Sequence, residues 1–356
     1  MSLISLRADA PARSRQDSPR ILIVDDSVVA RAVIARAVES SGRFAVAGAE
    51  PNADAALGFL RQHRVDAIIL DIEMPGISGL AALPDLIEAG AGAKVLIVSS
   101  SCGEGAAATI EALALGAADT LVKPEAGGFT GGFSAAIGEK LARLFEAAPT
   151  GVAIMSAVAG SPATSFDIVA IGASTGGIHA LSLLLREIPA GFPLPILVTQ
   201  HLPASFMPYF AAQVSVLAAR PCDVATDHMR IRPGRVVIAP GDAHIRVVAS
   251  GEGAAIRLST EPVRSGCLPS VDPMFDSLAE VYGARALGVV LSGMGRDGAE
   301  GAQRMIARGA SVVVQDQASS VVWGMPGAVA ASGAASAILA PVDIGKLIAA
   351  RRRPGC

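Results

Sequence analysis

Residues 20–26, RILIVDD, set a run of Ile, Leu, Ile and Val between an arginine and two aspartates. A short β-branched run bounded by polar residues is the pattern of a strand buried on both faces. SVVARAVIARAVES follows, with apolar residues at helical spacing. FAVAGAE, DAIILDI, AKVLIVSS and DTLVKP repeat the strand pattern, separated by Ala- and Leu-rich helical stretches. Strands alternating with helices predict a parallel sheet covered on both faces, and this first unit closes near residue 145. A second start appears at SFDIVAIGAS, followed by LPILVTQH, GRVVIAP, HIRVVAS, AAIRLST, RALGVVLSG, ASVVVQD and an Ala-rich C-terminal helix. The stretch GRVVIAPGDAHIRVVASGEGAAIRLST alternates short strands with turn signals and predicts a small antiparallel excursion. The expected class is α/β, with two doubly wound parallel-sheet domains at 20–145 and 165–350. Residues 1–19 read as a disordered tail, 146–164 as a Gly/Ser/Pro-bearing linker, and 351–356 as a terminal tail.

Composition narrows the class. Apolar residues make up 51% of 356, enough for large cores, and the net charge is −3. Such a balance carries no electrostatic footprint for nucleic acid or an anionic membrane. Mean hydropathy is +0.50, but Ala and Gly carry much of it. No uncharged apolar run reaches the ~20 residues a spanning helix needs, so direct membrane insertion is not expected. Cys102, Cys222, Cys267 and Cys356 are scattered without a C-x-x-C pair. That pattern fits reduced thiols in a cytoplasmic protein better than a disulfide framework or a zinc site.

Function in open parallel sheets gathers at the carboxyl ends of strands. In the first unit Asp25 and Asp26 end one strand and Asp71 another. Carboxylates meeting at one edge repel unless a cation sits among them, and an all-oxygen set suits Mg²⁺. Lys123 and Ser99 end two further strands at the same edge. A metal, a lysine and a hydroxyl around a carboxylate are what aspartyl phosphorylation needs, with Asp71 as nucleophile. Each aspartate alone would read as a helix cap.

In the second unit the strand IVAIGA runs into STGG and a helix pattern. Such a turn either cradles a phosphate on backbone N–H groups or presents a serine for attack. A dinucleotide site asks for a carboxylate at the end of the next strand. That strand, LPILVT, ends instead in Gln200-His201. His201 is placed to take a proton from Ser174, and an imidazole needs a partner that fixes its tautomer. Asp297, in the loop SGMGRDG, stands after a third strand. Taken alone, Asp297 also reads as a cap. His63 and His228 read as surface residues, His179 as a helix residue able to face solvent, and His244 as the start of a strand. Backbone N–H groups at Gly176-Gly177 or around Met294 are the candidates for binding an oxyanion. A silent scaffold on the same fold remains the competing class, whereas an oxidoreductase lacks its ribose-binding carboxylate.

Two resemblances add to this. VDDS, LDIEMPGISG, VSSS and VKP resemble the receiver domain of two-component response regulators, over about residues 20–145. The resemblance implies a flavodoxin-like fold and phosphorylation of Asp71 by a sensor histidine kinase. Mg²⁺ would lie at Asp25, Asp26, Asp71 and the Glu73 carbonyl. Ser99 would be the switch hydroxyl and Lys123 the phosphate contact. The aromatic residue many receivers carry three positions before the lysine is Thr120 here. From about residue 165, IGASTGG, VTQHLP, VVIAPGDAHI, LPSVDPMF, LSGMGRDG and QDQASSVVWGMPGAV resemble the catalytic domain of chemotaxis protein-glutamate methylesterases. That likeness implies a Rossmann-like fold, Ser174 as nucleophile, His201 as base and Asp297 as its orienter. Thr175 would support the serine, and the Met294 N–H would serve the oxyanion. No cofactor is implied there. The implied substrates are glutamate γ-methyl esters, and in many members glutamines, on chemoreceptors. Where the family often reads G-H-R-P-S-V-D, this chain has Gly266-Cys267-Leu268-Pro269-Ser270-Val271-Asp272, and Gln317 replaces an acidic residue.

Overall fold

Five apolar runs of the first unit form one parallel sheet. They are β1 (Arg20–Val24), β2 (Ala45–Glu50), β3 (Ala67–Asp71), β4 (Lys94–Ser99) and β5 (Asp119–Val122), in the order β2-β1-β3-β4-β5. Every neighbouring pair is parallel. Helices α1 (Val28–Ser40), α2 (Ala53–Leu60), α3 (Gly79–Gly90), α4 (Glu104–Leu115) and α5 (Gly131–Leu144) connect and flank the strands. The first three start where a side chain can cap them. Ser27, Asn52 and Ser78 each accept a hydrogen bond from a backbone N–H three residues on, satisfying donors a helix start leaves free.

The structure is a computed structural model that describes residues 18–99, 104–123, 131–145, 165–251 and 253–351. The linker 146–164 and nearly all of both tails lie outside the described residues.

The second unit is built on a seven-stranded sheet. In sequence its strands are β6 (Ile168–Ala173), β7 (Ile196–Gln200), β8 (Cys222–Val224), β9 (Val236–Ile238), β12 (Ala286–Val290), β13 (Ser311–Gln315) and β14 (Ala337–Leu339). Their order is β14-β13-β12-β6-β7-β9-β8, again wholly parallel. Helices α6 (Gly177–Arg186), α7 (Met207–Ala218), α8 (Val271–Tyr282), α9 (Ala299–Ala307), α10 (Gly324–Ala331) and α11 (Pro341–Ala349) cover it. Among the described residues, β10 (His244–Ser250) and β11 (Gly253–Ser259) form the antiparallel excursion. The run GRVVIAP, expected within that excursion, instead gives β9 and joins the main sheet beside β7. Its three residues are fully buried, as an interior parallel strand requires.

The two units share apolar surface. One core cluster runs from Leu113 and Ala117 of the first unit into Ile178 and Leu181 of α6. Another joins Phe133, Ile137 and Leu141 to Val322 of the second unit, with Val321 and Met294 packed against it. Lys94 adds a polar tie across this seam. Its ammonium donates to the Val321 carbonyl at 2.8 Å and to the Leu144 carbonyl, above the Phe145 ring.

Phe275 on α8 is fully buried in the core beneath the second sheet. Phe275→Ala is expected to destabilise the second domain by about 3–5 kcal/mol, measured as a lowered midpoint of urea unfolding by circular dichroism.

Candidate functional site

Ser174 follows the last residue of β6, where the chain turns into α6. Its N–H donates to the Ser292 carbonyl at 3.0 Å, tying the turn to the loop after β12. The loop passes so close that only glycine fits at 293. A Cβ there would stand 2.9 Å from Ser174 Cβ and collide with the Met325 sulfur. The glycines of this stretch thus serve close packing around the serine.

His201 follows the last residue of β7, with its N–H bonded to the Ala173 carbonyl at 3.0 Å. Its Nε2 donates to Asp297 Oδ2 at 2.8 Å. Asp297 is 1% exposed and takes two further hydrogen bonds. Ser270 Oγ donates to Oδ1 at 2.6 Å and the Val271 N–H to Oδ2 at 2.7 Å. Burial opposes the Asp297 charge, but His201, Ser270 and the Val271 N–H outweigh it and hold the carboxyl at about 2. Burial likewise opposes an imidazolium at His201, but Asp297 and then Cys267 lift its pKa to about 9. Neighbouring Asp272 goes the other way, raised to about 6 by burial and by Asp297, against the Gly301 N–H that favours its charge. These groups belong to three strand ends and the start of α8, brought together by the sheet order β12-β6-β7.

Ser174 and His201 line one cavity of 520 Å³ with Thr175, Gln200, Cys267 and Met294. Gln200 Nε2 donates to the Ser174 carbonyl at 3.0 Å, while its buried Oε1 has no hydrogen-bond partner among the described residues. The cavity has a second wall. Ala118, Asp119, Lys140 and Arg143 of the first domain close it from above. Thr175 Oγ1 donates to Asp119 Oδ2 at 2.9 Å, and Lys140 Nζ to Asp119 Oδ1 at 2.7 Å. The Gly176 N–H, at the start of α6, donates to the Ala118 carbonyl at 2.8 Å. A backbone donor suited to an oxyanion is therefore engaged by the other domain.

The acidic cluster lies at the far end of β5. One oxygen each of Asp25, Asp26 and Asp71 fall within 4.8 Å of one another. Lys123 Nζ bonds Asp25 Oδ2 at 2.8 Å and Asp71 Oδ2 at 2.7 Å. Burial pushes the Asp71 carboxyl up despite that lysine. Buried negative charge left only partly neutralised, on oxygen donors alone, fits a divalent hard cation. The Glu73 N–H donates to Asp71 Oδ1 at 3.1 Å, which brings that residue's backbone to the cluster. Ser99 Oγ lies 2.5 Å from Thr109 Oγ1.

The remaining histidines take ordinary places. His63 and His228 are exposed, His244 is buried between the Ser270 N–H and the Glu261 carbonyl, and His179 bonds the Ala114 carbonyl across the seam. The expectation that His179 could face solvent gives way because α6 packs on α4. Sequence reasoning passed over Ser270 and Asp119. Ser270 looks like any N-cap serine before V-D-P, a role it also fills by accepting from the Asp272 N–H. Asp119 meets its partner 56 residues away across a domain boundary, and no local pattern encodes that.

The comparisons agree with this layout. Residues 169–348 match the family model CheB methylesterase, and residues 21–128 match Response regulator receiver domain. The chain belongs to the CheB methylesterase family. A curated relative from Paramagnetospirillum magneticum, named protein-glutamate methylesterase/protein-glutamine glutaminase 1, is 38% identical, covering 97% of this chain and 99% of its own. One from Caulobacter vibrioides, named protein-glutamate methylesterase/protein-glutamine glutaminase 2, is 40% identical over 94% and 99%. Among solved structures, the CheB methylesterase catalytic domain of Thermotoga maritima is 34% identical, with a TM-score of 0.51, over 52% of this chain and 99% of that one. No helix among the described residues is long and apolar enough to cross a membrane.

His201 carries a folded pKa of about 9, above the ordinary value of about 6.5. Its stabilising contribution is therefore full below about pH 6.5 and lost as pH rises through about 9. An NMR titration of the His201 ring is expected to show a midpoint near 9 in the full chain. In Asp297→Asn the midpoint should fall by two units or more, on the order of 3 kcal/mol. An unmoved midpoint would show that the pair does not set this proton affinity.

Proposed function

We propose that this chain removes methyl esters from glutamate side chains of chemoreceptors, and ammonia from receptor glutamines, by a Ser-His-Asp mechanism controlled by phosphorylation. The observation that carries the proposal is that His201, bonded to the buried Asp297, lines one cavity with Ser174. Ser174 Oγ attacks the ester carbonyl. With Nε2 of His201 committed to Asp297, Nδ1 is the ring nitrogen left to take the serine proton. Asp297 stabilises the imidazolium that forms. The Met294 N–H and the start of α6 receive the oxyanion, an effect worth about 3 kcal/mol per donor, and Thr175 steadies the turn. His201 then gives that proton to the methoxy oxygen as its bond to carbon breaks, and methanol departs. Water, deprotonated by the same nitrogen, clears the acyl-serine.

Control comes from the first domain. A sensor histidine kinase supplies the phosphoryl group to Asp71. Asp25, Asp26, Asp71 and the Glu73 carbonyl would hold Mg²⁺, which when bound neutralises charge on the phosphoryl oxygens. Lys123 shares that task, and Ser99 is the hydroxyl that senses the new group. Before phosphorylation, Ala118 and Asp119 occupy the Gly176 N–H and Thr175, so the catalytic turn is covered. An acyl-phosphate at Asp71 draws Lys123 away from its carboxylate partners at one end of β5 and loosens Asp119 at the other. Such coupling needs a difference in affinity between two states of the interface. A cytoplasmic setting suits both the phosphodonor and the receptor segments.

Ser174→Ala is expected to abolish methanol release from methylated receptor fragments while leaving the fold intact by circular dichroism. Wild-type rates in that variant would sink the assignment. Asp119→Ala should raise the rate of the unphosphorylated enzyme about tenfold or more, from loss of a charge-assisted hydrogen bond of about 1.5–3 kcal/mol, and should shrink the increase that acetyl phosphate produces. Because the base must be neutral, the rate should rise with pH to a plateau above about 9.

A further inference from the structure

The loop before α8 places a thiol at the catalytic histidine. Cys267 is partly exposed, and Cys267 Sγ, one ring nitrogen of His201 and one carboxylate oxygen of Asp297 lie within 4.8 Å of one another. We propose that Cys267, His201 and Asp297 form a site for a zinc-class divalent cation, and that the bound cation shuts the esterase off. A thiolate, an imidazole and a carboxylate are the donors zinc prefers, and three protein ligands plus water complete a tetrahedron. Donor atoms in such a tetrahedron stand roughly 3.3–3.8 Å apart, so closing around the ion takes side-chain shifts of about 1 Å. The outer support is already built, since Ser270 Oγ and the Val271 N–H fix the Asp297 carboxylate, and such support tightens metal sites.

Access separates this site from the control by phosphorylation. Cys267 and Asp297 also border a second cavity of 550 Å³, whose lining residues all come from the catalytic domain. A cation can reach the cluster from that side without displacing Asp119 or Lys140. The cation takes the cysteine as thiolate and the ring through a nitrogen lone pair, displaces any proton those atoms carry, and stands in the proton's place beside the carboxylate. With the cation on the carboxylate-side nitrogen, Nε2, the proton the ring keeps stays on Nδ1, and no lone pair is left there to accept the Ser174 proton. The site stands on the three side chains themselves, and its effect on hydrolysis rests on His201 being the base.

The test uses the full chain without phosphodonor. Co²⁺ is added and the thiolate-to-cobalt charge-transfer band is followed. Zn²⁺ is titrated in parallel against methanol release from methylated receptor fragments. The band is expected in the wild type and lost in Cys267→Ser and in His201→Ala, each checked for folding by circular dichroism. Saturating Zn²⁺ should lower methanol release at least tenfold. In Cys267→Ser, half-inhibition relative to that variant's own metal-free rate should need at least about tenfold more Zn²⁺. No band in the wild type, or an unchanged band in Cys267→Ser, overturns the site. A Cys267-dependent band with unaltered methanol release keeps the metal site and removes His201 from the catalytic role, so the two failures are told apart.

Discussion

A carboxylate almost sealed from water needs donors on both of its oxygens, and Asp297 obeys that demand. Three donors from two places converge on it: the ring of His201 after β7, and the hydroxyl of Ser270 and the N–H of Val271 at the start of α8. Leaving one of them out would strand a buried charge at a cost of several kcal/mol. The requirement fixes more than one side chain. It holds the end of β7 against the loop after β12, and it sets the height at which α8 begins. His244 extends the arrangement by accepting from the Ser270 N–H. On the proposed function, the histidine lining the cavity with Ser174 has its Nε2 already committed to Asp297, as a proton-transfer site needs.

The second organising fact is that the turn carrying Ser174 is shared between domains. Ala118 and Asp119 meet the Gly176 N–H and Thr175 with hydrogen bonds of ordinary length. Around them an apolar seam runs through α4, α6 and the packing of Val321 and Val322. Apolar burial supplies the attraction and the polar contacts set the register. On the proposed function, a small loss among the polar contacts would change which state of the seam predominates without unfolding either domain.

Much of this was legible in the sequence, for a physical reason. Strands buried on both faces must be apolar runs, so β1, β3, β4, β6, β7, β12 and β13 stood out, and with them the strand-end residues Asp25, Asp71, Ser174 and His201. The short strands were silent. β8 reads Cys-Asp-Val on a half-buried edge, and β14 has three residues. The misplaced β9 shows that alternation with turns cannot say which sheet a three-residue strand will join. Contacts that bridge distant elements were equally hidden. Asp119 resembles any polar residue opening an edge strand. Cys267 showed only as a departure from a pattern, because its neighbours come from β7 and the loop after β12 rather than from nearby sequence. Scattered cysteines without C-x-x-C spacing spoke against a zinc site, yet folding sets one thiol beside an imidazole and a carboxylate.

β5 spans four residues from Asp119 to Val122, with β4 as its sole neighbour in the sheet. Its first residue bonds Thr175 in the turn that carries Ser174, and Lys123, just beyond its end, touches Asp71. A strand this short has no slack to absorb a displacement at one end. On the proposed function, traffic along it runs both ways, because binding energies linked through one element are reciprocal. A receptor segment seated over Ser174 must push Asp119 aside, and in doing so it favours the form of the first domain that binds a phosphoryl group. The enzyme docked on its substrate would then be the better acceptor for the kinase, so occupancy of the receptor reports back to the signal that called for it.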